Sequence, residues 1–126
     1  MTYGRVWLYY VKGITFNKTN PIITISATNG ETIVANGVVS DDASLIITFT
    51  TSTATSDFTE QDITVNGGVL SNFNTISTTV YTAIFTPTSE GLTTIDVIAN
   101  SFSDPIGNNN VSATQFTWTY NVNNPP

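Results

Sequence analysis

Alternation over residues 43–52 constrains this chain more than any other feature. Leu45, Ile47 and Phe49 fall on one side of a period-two pattern, and Ser44, Ile46, Thr48 and Thr50 on the other. β-Branched and aromatic residues dominate and neither Gly nor Pro interrupts, so the stretch predicts a strand with one face on a core. Residues 115–120 answer it near the other end of the sequence. There Phe116, Trp118 and Tyr120 share a side, and Thr117 and Thr119 share the other. Two such strands, far apart in sequence, predict two sheets whose apolar inner faces meet.

The remaining segments precede the first of these or fall between the two. Residues 21–27 predict a strand in which Ile23 and Ile25 alternate against Ile22 and Thr24. Asn29-Gly30 is a turn signal, and residues 32–39 are a weaker extended segment interrupted by Asn36-Gly37. Residues 62–66 predict a short strand closed by Gly67-Gly68, where glycine permits a reversal. Residues 69–76 form a looser strand, and 79–86 a strong one with Tyr81, Ala83 and Phe85 on one face. Residues 92–99 place Ile95 and Val97 inward with Asp96 outward between them, and the last strand spans about 113–122. Phe58 and Phe102, each in a connection, are expected to plug the core. No stretch keeps apolar residues at i, i+3, i+4, i+7 long enough for a helix. The expected fold is all-β: an immunoglobulin-like β-sandwich of seven to nine antiparallel strands in two sheets. Residues 19–122 would form it, 1–18 an N-terminal extension or docking strand, and 123–126 a linker or tail.

At 126 residues the chain is long enough to bury a core without staples. It has no Cys and no His. That removes thiol chemistry, any Ser-His-Asp or Cys-His site, and a favoured zinc ligand. The net charge is -6. Arg5, Lys12 and Lys18 are the three basic residues, so no positive side chain follows Thr19. Such a surface repels phosphate backbones, which argues against nucleic-acid binding. No apolar run approaches the roughly 20 residues that span a bilayer, which argues against membrane insertion. Val6-Trp7-Leu8-Tyr9-Tyr10-Val11 is too short and too aromatic for a signal-peptide core.

That run is apolar on both faces, since Val6, Leu8 and Tyr10 alternate with Trp7, Tyr9 and Val11. A strand of this kind wants cover on both sides. It reads either as an ordinary first strand or leader, or as a strand that pairs with a neighbouring subunit's sheet edge by β-augmentation. The contrasting alternative is a carbohydrate-binding domain, for which Trp7 and Tyr9 would be the candidate residues for stacking on glycans.

The order of motifs is similar to a known family. Residues 44–52 are followed by Asp57-Phe58-Thr59-Glu60-Gln61-Asp62-Ile63-Thr64-Val65-Asn66-Gly67-Gly68 and Leu70-Ser71-Asn72-Phe73. Tyr81-Thr82-Ala83-Ile84-Phe85-Thr86-Pro87 and Asp104-Pro105-Ile106-Gly107-Asn108 come next. Over roughly residues 20–121 this resembles the bacterial Ig-like repeat of large surface adhesins and biofilm-associated proteins, found also in phage and large-virus structural proteins. Residues 1–18 depart from the pattern. The resemblance implies a non-enzymatic, extracellular spacer or adhesion module at a cell or virion surface, with neighbouring copies or domains as partners. Asn20-Pro21 and Asn124-Pro125-Pro126 match the family's junctions between neighbours.

A sandwich of this order places residues 53–61 and 103–110 at one end. Asp57, Glu60 and Asp62 would then approach Asp104 and Asn108, a set of oxygen ligands suited to calcium. Related adhesin repeats carry calcium at domain ends. The spacing is no EF-hand, and the competing reading has Asp57 and Asp62 capping turns. Asp41, Asp42 and Glu90 belong at the opposite end as a solvated turn or a junctional metal site. A glycosidase pair would need a sugar-sized cleft between two carboxylates, for which short loops leave little room. Two sequons, Asn17-Lys18-Thr19 and Asn110-Val111-Ser112, matter only in a eukaryotic or eukaryotic-virus setting.

Overall fold

The computed structural model of the chain describes residues 19–122. Its strands are β1 (Ile23–Thr28), β2 (Ile33–Val34), β3 (Val39–Ser40), β4 (Leu45–Thr51), β5 (Thr64–Asn66), β6 (Gly68–Thr75), β7 (Val80–Pro87), β8 (Gly91–Asp96) and β9 (Phe116–Tyr120). They pair into a five-stranded sheet, β2-β1-β4-β7-β6, and a four-stranded sheet, β3-β9-β8-β5. No α-helix forms among the described residues. β1-β4-β7-β6 facing β9-β8-β5 is the strand arrangement of an immunoglobulin sandwich.

β4 sits at the centre of the larger sheet, as its alternation predicts. Leu45, Ile47 and Phe49 are almost completely buried, while Ile46 and Thr50 are exposed. β7 pairs with it in register Leu45↔Phe85, Ile47↔Ala83, Phe49↔Tyr81, so the inward sets of both strands coincide. From the other sheet, Ile95, Phe116 and Trp118 close the core. Phe58 plugs one end from the β4–β5 connection. Its ring centroid lies 5.7 Å from Phe49, 5.0 Å from Tyr81 and 5.1 Å from Phe102, within the range where aromatic pairs attract.

Several expectations need correction. The extended segment over 32–39 is two strands on different sheets: β2 pairs with β1, and β3 crosses over to pair with β9. The β3–β9 pair is parallel, so the sandwich is not wholly antiparallel. Asn36 makes the crossing. Its amide donates to the Gln115 carbonyl at 2.9 Å, and its side-chain oxygen accepts from the Thr117 N–H at 2.8 Å. The side chain thus imitates a ladder residue before β3 begins. The strand expected over 62–66 starts later, at Thr64, because Glu60–Asp62 winds into a 3-10 turn. β8 stops at Asp96 and β9 begins at Phe116, both shorter than expected, because the intervening chain is tied to itself. Tyr120 is only half-buried although it shares the side of Trp118.

At the β5–β6 corner a Cβ on Gly68 would fall 2.6 Å from the Thr86 carbonyl oxygen and 2.5 Å from the Phe85 ring. Glycine is therefore the residue that lets β6 approach β7.

Strand direction separates the two ends of the sandwich. β1 and β9 run the same way, so the chain enters near Ile22 at one pole and leaves near Asn121 at the other. The entry pole holds residues 53–62, 76–79 and 97–115. The exit pole holds residues 29–32, 41–44 and 88–90.

Candidate functional site

The entry pole is where the sequence places a metal site. Two loops do meet there. Thr55 Oγ1 lies 2.7 Å from both the Asp57 carboxylate and the Ser103 carbonyl oxygen. Asp57 accepts from the Ser103 N–H at 3.2 Å and from the Ser103 hydroxyl at 3.1 Å. Burial works against its charge, but the bonds from Thr55 and Ser103 outweigh it and hold the carboxyl below the usual carboxylate range. Tyr81 lies just beneath, its hydroxyl 3.0 Å from the Thr55 and Thr78 carbonyl oxygens. Burial, then the Asp57 charge, push its phenol up.

The other candidates are turned to local tasks. Asp104 is 5% exposed. Its Oδ1 accepts the N–H groups of Ile106, Gly107 and Asn108 at 2.9–3.0 Å, and its Oδ2 accepts the Asn108 amide at 3.0 Å. The Asn108 N–H, opposed by burial and joined by the Asn108 amide and the Ile106 and Gly107 N–H groups, keeps its carboxyl below the usual range. Asp62 turns back to accept the Thr59 N–H at 2.8 Å. Glu60 is exposed at the start of its 3-10 turn. Asp57 is thus drawn to Ser103, and Asp104 and Asn108 pair with each other. Glu60 and Asp62 stay with their own turn.

A hard cation needs six to eight converging oxygens, and no three acidic side chains gather as such a group among the described residues. The lone pairs of Asp57 and Asp104 already point at N–H and O–H donors, which a cation would have to displace. Asp57, Asp62 and Asp104 bond to their own or neighbouring loops at this pole.

The residue that organises the pole is one the sequence reading named only as the start of a sequon. Asn110 is 2% exposed. Its side-chain oxygen accepts the N–H groups of Ser101 and Phe102 at 2.7 and 2.9 Å, and its amide donates to the Ile98 and Val111 carbonyls at 3.0 Å. All of its side-chain capacity is used in fixing residues 98–111. The sequon that begins at Asn110 is therefore closed to glycosylation in the folded chain. Nothing in three consecutive asparagines marks the third as the one turned inward; only loop geometry does.

Asp41 and Asp42 lie at the exit pole with Glu90, as expected. Asp42 accepts from the Ser40 hydroxyl at 2.7 Å, and Ser40 accepts from Trp118 Nε1 at 2.8 Å. The Asn29 amide reaches Asp42 at 3.3 Å. A polar chain thus runs from the buried indole to the surface. Asp96 is half-buried and holds the Gln115 amide at 3.0 Å. No cavity opens among the described residues that could flank a sugar with two carboxylates. Val6, Trp7, Leu8, Tyr9, Tyr10 and Val11, the expected partner-binding residues, lie outside the described residues.

No curated protein and no solved structure matches the chain. A family model does: that of the bacterial Ig-like domain, over residues 17–122. With the sandwich topology already described, that match identifies the chain as a member of the bacterial Ig-like domain family, whose modules are of a structural or adhesive type.

Proposed function

We propose that the chain is a non-enzymatic, extracellular structural or adhesion module of a surface or virion protein, one link in a series of such modules. The observation that carries this is the placement of entry and exit at opposite poles, which lets copies follow one another without folding back. The closed core and the engagement of Asp57 and Asp104 in turns agree with a role in spacing and joining. Small-angle scattering on two full chains fused in tandem tests it. The expected maximum dimension is close to twice that of a single chain. A tandem little longer than the single chain would overturn the reading.

A second reading is favoured by the distribution of charge. All three cations lie within residues 1–18, and the chain from Thr19 onward carries only carboxylates. This suits a filament or capsid-decoration subunit that latches onto its neighbour through residues 3–16. Removing residues 1–18 would then abolish assembly while the remainder still folds. Normal assembly by the shortened chain would eliminate the latch.

A further inference from the structure

We infer that residues 1–18 of one copy dock on the exit pole of a second copy and fill a head-to-tail joint between them. The inference rests on the latch reading and names the acceptor that reading leaves open.

Charge and apolar surface both point to this pole. Residues 1–18 carry Arg5, Lys12 and Lys18 and no acid. The exit pole carries Glu31, Asp41, Asp42 and Glu90 and no cation. These carboxylates border exposed aliphatic surface. The register Val39↔Thr119 and Leu92↔Thr119 sets Val39 and Leu92 on the outer face of the smaller sheet, either side of one threonine. They are 45% and 63% exposed. Asp41 and Asp42 follow β3 directly, and Glu90 directly precedes β8. The bond from Asn29 to Asp42 draws the loop that bears Glu31 towards the same corner. An acid-bordered aliphatic patch complements a segment that is basic and aromatic, and such complementarity steers and registers association.

The entry pole accounts for the other face of the segment. Ile22, Ile76, Ile98 and Ile106 are all more than half exposed there. A segment apolar on both faces is covered on one side only if it lies on a single pole. Between the exit pole of one copy and the entry pole of the next it is covered on both. The long outer edge of β6, unpaired among the described residues, is a poorer acceptor. Its ladder breaks between Ser71 and Asn74, with Asn72 at φ 51, and such a bulge blunts an edge. A joint of two different surfaces is heterologous and propagates as an open chain.

Charge reversal in full-length protein tests this by sedimentation velocity. One variant reverses the pole (Glu31→Lys, Asp41→Lys and Glu90→Lys together). The other reverses the segment (Arg5→Glu, Lys12→Glu and Lys18→Glu together). Asp42 is left intact because it supports Ser40. The wild-type chain is expected to assemble at low salt and to lose at least about tenfold in affinity near 1 M NaCl, where screening is nearly complete. Each variant alone is expected to stay monomeric, with a wild-type melting temperature. An equal mixture is expected to assemble again, since every segment then meets a pole of opposite sign. A wild-type chain that remains monomeric overturns the inference. So does either variant assembling like wild type, or a mixture that stays monomeric. If removal of residues 1–18 abolishes assembly but pole reversal does not, the latch survives and this acceptor fails.

Discussion

At the scale of single residues, this module is held by side chains that satisfy backbone groups. No described residue carries a positively charged side chain, so no side-chain ion pair contributes among them. Asp57 and Asp104 act as acceptors, and both have carboxyls held below the ordinary carboxylate value. A carboxyl depressed in the folded state contributes stability that is present above its unfolded pKa. That contribution is lost as pH falls through the folded value. Urea unfolding followed from neutral pH downwards should therefore show stability constant until the ordinary carboxylate range, then falling below it. Asp57→Asn should be less stable at neutral pH and should show a shallower acid loss. An identical pH profile in the variant would remove Asp57 from the account. The types of residue at this pole were legible in the sequence, and turn-capping by Asp57 and Asp62 was one of the two readings open. Their partners were not, because Ser103 lies 46 positions from Asp57. Asn110 escaped for a related reason: neighbouring asparagines differ only in which one the loop turns inward.

At the scale of elements, alternation was a reliable guide where a strand has one wet and one dry face. β4, β7 and β9 are such strands, and their inward residues are those the period selects. It failed where pairing is brief. β2 and β3 are two residues each, too short for a period, and the side chain of Asn36 rather than any apolar pattern decides where the chain changes sheets. Strand ends at Asp96 and Phe116 are set by the Asn110 loop, which takes backbone groups that a longer ladder would need. Phe58 belongs to no strand, yet it meets Phe49, Phe73, Tyr81 and Phe102. Phe58→Ala should cost about 3–5 kcal/mol of unfolding free energy, because losing the aromatic plug would leave a void between two sheets. Chemical denaturation measures this. A loss under about 1 kcal/mol would show that the pole relaxes to close the gap.

At the scale of the whole molecule, the fold was readable and the use of its ends was only partly so. The sequence placed acids at both poles. The structure shows Asp57, Asp62 and Asp104 at the entry pole bonded to their loops, while Glu60 there and Glu31, Asp41 and Glu90 at the other end are exposed. Millimolar calcium or a chelator should therefore leave the melting temperature of the module unchanged. A rise of several degrees with calcium would signal a ligand bound by the folded state and would restore the cation reading of the entry pole. The opposed poles carry one more consequence. β1 and β9 lie in different sheets, and each is antiparallel to its inner neighbour, β4 or β8. A pull applied at Thr19 and Val122 would run along these strands and load their ladders in shear. Bonds set across a load share it and must rupture together, whereas a ladder peeled from one end opens rung by rung. A link built this way yields to tension late and abruptly.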